Sequence, residues 1–478
     1  MIRKTKIVAT VGPASRSDHI LSSLIEAGVD AFRFNFSHGS HEEHAEAYDK
    51  VRRLARSLGK TIALIQDLQG PKIRVGTLET PEMLVETGAE VLLTSQPVAG
   101  GSGRIPIGYE HLEQEVRPNE IILMDDGKLR LEAVAVDSEG VRCRVIQGGV
   151  LKPHKGVNFP HTRLSIGSCT PKDIKDLRFG MELGFDVVAL SFVAGPADIR
   201  SLRDKMREMG TVRPIIAKLE RAACLDHLSA IINEADGVMV ARGDLGVEVD
   251  IKRVPFLQKT IIKLANEARI PVITATQMLE SMTTSLLPTR AEVADIANAV
   301  LDGTDALMLS AETSLGSYPV QAVQMMRNIA MEAESYYESH APELWRHQPL
   351  RTGGISETVC HAAVVAAHDL RLRSIVTITR TGRTALDIAT FKPHATIHAM
   401  TPDEGTARFL ALSRGVWPHL IEFTENLDCL MERVDTSLVK NGIASPGEPV
   451  AVVLGASIAI PKSSDVLIIH RVGEKYGR

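Results

Sequence analysis

One pattern constrains this chain more than any other, a short apolar strand run that recurs eight times: KIVATVGP (6–13), DAFRFNFSH (30–38), TIALIQDL (61–68), DVVALSFV (186–193), RPIIAKLE (213–220), GVMVARGDLG (237–246), PVITATQML (271–279) and ALMLSAET (306–313). A polar or glycine-bearing turn and an amphipathic segment follow each run, which is βα alternation. Eight such units close a parallel barrel, and nearly all-apolar runs suit strands covered on both faces. An open doubly wound sheet is the competing arrangement. It would usually carry a glycine-rich fingerprint after its first strand, and GPASRS is not one.

Spacing locates an insertion. Polar strand ends at Asn35, Asp67, Ser191, Lys218, Asp244, Thr276 and Ser310 are separated by 32, 124, 27, 26, 32 and 34 residues. The long interval holds about one small domain of surplus chain. Residues 71–168 are therefore read as a small β-barrel lid inserted between strands three and four, with residues 1–70 and 169–345 forming the (β/α)8 barrel. Its texture agrees, because KLRLEAVAV (128–136) and GVRCRVI (140–146) alternate between DDG, DSEG and QGG turns and read as antiparallel strands. Re-entry is marked by TPKD (170–173), where Thr170 caps a helix that starts at Pro171. Thr289 and Glu292 form a second capping box, with Val293, Ile296, Ala297, Val300 and Leu301 expected on one helical face.

After HAPELWRHQPLRTGG (340–354), read as a linker, the βα pattern restarts. Residues 346–478 are expected to form a C-terminal α/β domain, with a helix at 356–370 and strands at 374–380, 396–400, 449–455 and 465–471.

Composition enters by exclusion. A net charge of −5 offers no broad basic surface for nucleic acid or an anionic membrane. No apolar run approaches a membrane span, and Gly12 and Pro13 cut the N-terminal run too early for a secretion signal. Five scattered cysteines without CxxC indicate neither a disulfide framework nor a zinc site, which suits a reduced cytoplasm. His38, His154 and His161 show no ligand spacing.

In a closed βα barrel the chemistry sits where strands feed their following loops. Those ends carry Arg33, Asn35, Ser37 and His38; Asp67 with Lys72 and Arg74 beyond it; Lys218 and Glu220; Arg242 and Asp244; Thr276 and Gln277; Ser310 and Glu312. Glu220 and Asp244 are hard oxygen ligands on neighbouring strands, and Mg²⁺ prefers one or two carboxylates plus substrate oxygens. Lys218 lies two residues before Glu220, so both face one side of a strand. Alone, K-x-E is more often a structural ion pair. On a strand buried on both faces it needs a purpose, such as stabilising an enolate or a phosphoryl group in flight.

The chain resembles the pyruvate kinase family over essentially its whole length. Nine motifs in register carry the resemblance: TVGPAS (10–15), RFNFSHG (33–39), DLQGPKIR (67–74), KGVNFP (155–160), AKLE (217–220), VARGDLGVE (240–248), ATQMLESM (275–282), PTRAE (288–292) and MLSAET (308–313). The resemblance implies phosphoryl transfer from phosphoenolpyruvate to ADP, giving pyruvate and ATP. By analogy, Glu220 and Asp244 hold Mg²⁺, with Mn²⁺ as a substitute, while Arg33 and Lys218 neutralise the moving phosphoryl group. Gly243, Asp244 and Thr276 contact the substrate, and Thr276, Ser310 and Glu312 line a proton route to the enolate. Asn35, His38, Arg74 and Lys155 are the matching nucleotide positions.

Many members also need K⁺, held at positions matching Asn35, Ser37, Asp67 and the Leu68 carbonyl. This chain has Lys72 where those members have Glu, and its internal ammonium could stand in for K⁺, so K⁺ is not expected to be required. TRTGRTA (379–385), with Thr379, Thr381, Gly382, Arg383 and Thr384, looks like the family's phosphate loop for a phosphorylated effector; an ordinary capped turn is the bland alternative. GASIAIPKSSD (455–465) lacks the family's glycine-rich second loop. Homotetramers are usual for the family. Two other functions fit parts of the pattern, a metal-dependent pyruvate-enolate aldolase or lyase and a catalytically silent metabolite sensor.

Overall fold

A computed structural model describes residues 2–101, 103–162, 164–340, 354–455 and 464–475. Most of the expected linker (340–354) and of the 455–465 segment lies outside these residues. The eight apolar runs form strands Lys6–Thr10, Ala31–Asn35, Ala63–Asp67, Val187–Leu190, Ile215–Leu219, Gly237–Ala241, Val272–Ala275 and Ala306–Leu309. They close into a parallel barrel, the first strand pairing with the eighth from Lys6 opposite Ala306. Small and branched side chains fill the interior, among them Val8, Ala31, Ala63, Ile65, Ile216 and Met308. Leu412 and Phe409 reach into this cluster from the C-terminal domain. That domain therefore closes the base of the barrel, opposite the mouth where strands end.

Local signals act as their chemistry dictates. Thr170 and Asp173 form a reciprocal capping box on helix Pro171–Leu183, and Thr289 and Glu292 do the same on Arg290–Asp302. The buried face of that second helix is Ile296, Ala299 and Val300. Leu301 corrects the expected face: it is 37% exposed, one residue beyond the stripe.

The inserted segment folds as a six-stranded sheet with a separate two-stranded one around its own core of Leu93, Ile105, Ile122, Leu131 and Val141. The long pair Leu129–Asp137 and Gly140–Gln147 is antiparallel as expected, but Glu90–Thr94 and Arg104–Pro106 pair in parallel. Asn158 Nδ2 donates to Glu248 Oε1 at 2.8 Å, seating this sheet over the barrel mouth.

The C-terminal sheet runs Val416–Leu420, Thr396–Thr401, Ser374–Ile378, Pro449–Leu454 and Val466–Arg471, with only the last strand antiparallel. Val416–Leu420 was not expected from the pattern, because Pro418 and His419 break its apolar alternation. An edge strand tolerates both. No helix among the described residues is long and apolar enough to cross a membrane.

Candidate active site

Three barrel strands converge on one buried charge cluster. Lys218 Nζ lies 2.8 Å from Glu220 Oε1 and 3.1 Å from Asp67 Oδ1, and donates to Ser191 Oγ at 2.7 Å. Arg33 Nε donates to Asp67 Oδ2 at 2.5 Å, and its Nη1 to Thr10 Oγ1 at 3.2 Å. Strand register makes this possible, because Asn35 stands opposite Asp67 and period two turns residues 33, 67, 218 and 220 toward a common side.

Burial works against the Asp67 carboxylate, yet the charges of Lys218 and Arg33 outweigh it and hold its pKa below the usual value. Burial also opposes charge on Lys218, but Asp67 and Glu220 overcome it and push its pKa up. Glu220 behaves differently. Burial raises its pKa against the pull of Lys218, and the nearby Asp244 raises it further.

That repulsion tests the site for a divalent cation. Asp244 lies in the helix Arg242–Glu248 that follows strand six, and its carboxylate has no hydrogen bond or ion pair among the described residues. A buried carboxylate whose charge is opposed by a neighbouring one without a partner suits a cation between the two. No group of three or more His, Cys, Asp or Glu could hold a metal among the described residues, so substrate oxygens would complete the set. Glu220 and Asp244 fit Mg²⁺ on these terms.

Thr276 and Gln277 both adopt left-handed backbone conformations, with φ of 69° and 55°. Such geometry persists only when surroundings enforce it. Here Arg242 Nη2 donates to the Thr276 carbonyl at 2.8 Å, and its Nη1 donates to Asp295 at 2.7 Å. Thr276 Oγ1 accepts the Gly243 N–H at 2.7 Å, so that N–H, expected to face the substrate carboxylate, is engaged within the protein. Glu312 is fully buried and accepts the N–H groups of Leu279 at 3.0 Å and Ser310 at 2.7 Å. Its oxygens therefore fix the loops carrying Thr276 and Ser310.

The nucleotide positions form two groups. Arg74 and Lys155 sit together on the lid, where Arg74 Nη1 donates to the His154 carbonyl at 2.9 Å and Lys155 Nζ lies 2.8 Å from Asp125 Oδ1. Asn35 and His38 are on the barrel side, His38 exposed and Asn35 Oδ1 accepting the Ser37 N–H at 3.2 Å. Among the described residues, no hydrogen bond or ion pair joins the two groups.

Two of the expected monovalent-cation ligands have partners within the protein. Both Asp67 oxygens are engaged by Lys218 and Arg33, and the Leu68 carbonyl accepts from Ser191 Oγ at 2.7 Å. Lys72, expected to be internal, is exposed and lines the cleft between lid and barrel with Asp126, Asn158, Phe192, Asp244 and Glu248.

In the 379–384 loop, expected to take an effector, Gly382 has φ 81° at the start of helix Arg383–Thr390, and its N–H donates to Thr379 Oγ1 at 3.0 Å. Thr384 Oγ1 bonds Ser464 Oγ at 2.6 Å, and Arg383 pairs with Asp387 at 3.1 Å.

Ser191, Thr10 and Arg242 were not assigned site roles from sequence. Ser191 and Arg242 could have been, since they occupy the same strand-end phase as Lys218 and Asp244.

A lidded βα barrel thus gathers a lysine, an arginine and two metal-competent carboxylates at its mouth. The family model "Pyruvate kinase, barrel domain" matches residues 2–323, and "Pyruvate kinase, alpha/beta domain" matches residues 357–470. A pyruvate kinase of Staphylococcus aureus is 38% identical over 99% of this chain and 81% of its own length. Pyruvate kinase 2 of Synechocystis is 42% identical over 100% of this chain and 80% of its own. A crystal structure of a pyruvate kinase from Cryptosporidium parvum superposes with a TM-score of 0.92 at 32% identity, covering 98% of this chain and 96% of that one. The chain belongs to the pyruvate kinase family, and its reaction is phosphoryl transfer from phosphoenolpyruvate to ADP. The aldolase alternative falls with that assignment, and the sensor reading lacks the losses at Lys218, Glu220 or Asp244 that it requires.

Proposed function

We propose that the transfer is carried by Lys218, with Arg33 as the second cation on the moving phosphoryl group. The supporting observation is the buried Lys218 ammonium held between Asp67, Glu220 and Ser191 at 3.1, 2.8 and 2.7 Å. A fixed charge of this kind needs little reorganisation as negative charge develops. Glu220 and Asp244 would hold Mg²⁺, with Mn²⁺ as a substitute. When bound, the ion supplies Lewis-acid charge to substrate carboxylate and phosphate oxygens.

Thr276 and the Gly243–Asp244 turn orient the substrate carboxylate. Thr276 and Ser310 line the proton route to the enolate, and Glu312 holds the loops that carry them. Arg74 and Lys155 on the lid, with His38 and Asn35 below, receive ADP; closing that gap would exclude water from the phosphoryl donor. The regulatory reading assigns a phosphorylated effector to Thr379, Thr381, Gly382, Arg383 and Thr384. Exposed Ile251, Phe256, Leu287 and Leu315 support homotetramer formation, and five free cysteines support a cytoplasmic setting. The unit boundaries stay at 1–70 with 169–345, 71–168 and 346–478.

The test is pyruvate formation from phosphoenolpyruvate and ADP with Mg²⁺, comparing wild type with Lys218→Met. Activity that collapses in the variant supports the assignment; undiminished activity in the variant removes Lys218 from it.

A further inference from the structure

We propose that the cavity between the barrel base and the C-terminal domain binds a phosphate monoester at a site separate from catalysis and from the 379–384 loop. The cavity has a volume of about 890 Å³, enough for a metabolite-sized ligand. Its position is set by topology. Lys4 enters it just before the first barrel strand, at the end of the barrel opposite the catalytic mouth. Arg371 and Arg373 enter just before strand Ser374–Ile378, whereas the 379–384 loop follows that strand's other end. The two C-terminal sites are thus separated by a strand length, roughly 16 Å.

The lining is unbalanced in charge. Lys4, Arg371, Arg373, Lys392 and Arg414 contribute cations, and Glu338 is the one carboxylate among the lining residues. Glu338 is already committed, 2.5 Å from Lys4 Nζ and 3.2 Å from His394 Nδ1. Arg414 is only 7% exposed, and its Nε has no hydrogen-bond partner. A buried guanidinium N–H without an acceptor is costly and marks a place where an anion belongs. Arg371 and Arg373 are exposed and have no ion pair among the described residues. Burial and the Arg414 charge bring the Lys392 pKa down to about 8, and the same two causes lower that of Lys4.

The other walls are apolar, with Val364, Leu372 and Pro393 among them and Tyr337 at one side. Forked arginines beside an ammonium match a phosphate dianion, and the apolar walls match an organic body attached to it. Such a ligand would tie Arg371 and Arg373 of the C-terminal domain to Lys4 of the barrel.

Thermal unfolding of the full chain with inorganic phosphate, phenyl phosphate or phenol tests the site. The proteins are wild type, Lys218→Met, Arg371→Glu/Arg373→Glu and Lys392→Met. Phenyl phosphate is expected to raise the midpoint by roughly 2–4 °C in wild type and in Lys218→Met, above any gain from inorganic phosphate, while phenol has no effect. Both cavity variants should lose that gain, and the exposed arginine pair guards against a folding defect at Lys392. A gain that survives both cavity variants, one that disappears in Lys218→Met, or no gain at all overturns the site. Equal gains from inorganic phosphate and phenyl phosphate, or a gain from phenol alone, overturn the ester assignment.

Discussion

Lys218 and Asp67 stand on the fifth and third barrel strands, and the lysine Nζ lies 3.1 Å from the aspartate Oδ1 inside a nearly dry mouth. Each keeps the other charged despite burial. Lys218→Met should therefore lower kcat by about 10²–10³-fold, with a much smaller change in KM for phosphoenolpyruvate. Asp67 keeps Arg33 at 2.5 Å, but Glu220 loses its only ion-pair partner among the described residues, so the unfolding midpoint should also fall. Steady-state kinetics and calorimetry on the same preparation check both effects. An unchanged kcat would remove the lysine from the transfer step.

The barrel was legible because strand burial leaves a period-independent apolar run, and the inserted sheet was legible from one anomalous interval. The charge cluster was visible as polar residues in a repeating phase. What stayed hidden depends on three-dimensional approach. Nothing in the sequence says that Gly243 N–H is taken by Thr276, that Glu312 accepts two backbone N–H groups, or that Leu412 plugs the barrel base. The edge strand Val416–Leu420 escaped because its specification comes from pairing with Thr396–Thr401, not from its own residues.

Gly243 approaches Thr276 so closely that an added Cβ would lie 3.3 Å from Thr276 Oγ1 and 3.6 Å from its Cβ. The threonine can yield only by disturbing a backbone already at φ 69°. Gly243→Ala is expected to raise KM for phosphoenolpyruvate several-fold and to lower kcat as Thr276 moves, with little change in KM for ADP. Equal changes in both KM values would point to a general loss of fold.

Glu312 accepts two backbone N–H groups with two carboxylate oxygens. In Glu312→Gln one acceptor becomes an NH₂ donor facing an N–H, leaving a buried donor unsatisfied at about 1–3 kcal/mol. Activity should fall together with stability, while Glu312→Asp recovers neither, because its shorter arm cannot span Leu279 and Ser310. Chemical denaturation and kcat measured in parallel decide this. A stable variant with reduced kcat would instead place Glu312 on the proton route itself.

Potassium offers a sharper discrimination. With Asp67 and the Leu68 carbonyl already engaged, the enzyme should show full activity in Na⁺-free and K⁺-free tetramethylammonium buffer. Lys72→Glu is expected to cut that activity and to make it rise when K⁺ is added. A strong, saturable rate increase with K⁺ in wild type at constant ionic strength would overturn the substitution by Lys72.

His398 and His419 face each other in the C-terminal sheet, with Nδ1 of the first 3.1 Å from Nε2 of the second. That contact needs one ring to donate and the other to accept, so at least the accepting ring must be neutral and two charged rings cannot share it. Burial lowers the two pKa values from 6.5 to about 3 and about 4, with His419 and Lys6 pushing His398 down further. The unfolded chain therefore binds more protons than the folded one between these values and 6.5. The sign follows: the contribution to stability is complete above pH 6.5 and is lost as pH falls toward 4 and then 3. The urea midpoint of wild type should drop across this window. His398→Leu should flatten the drop, since it removes the lower-titrating ring and leaves His419 without a facing partner. An equally steep drop in the variant would assign the acid sensitivity to carboxylates elsewhere.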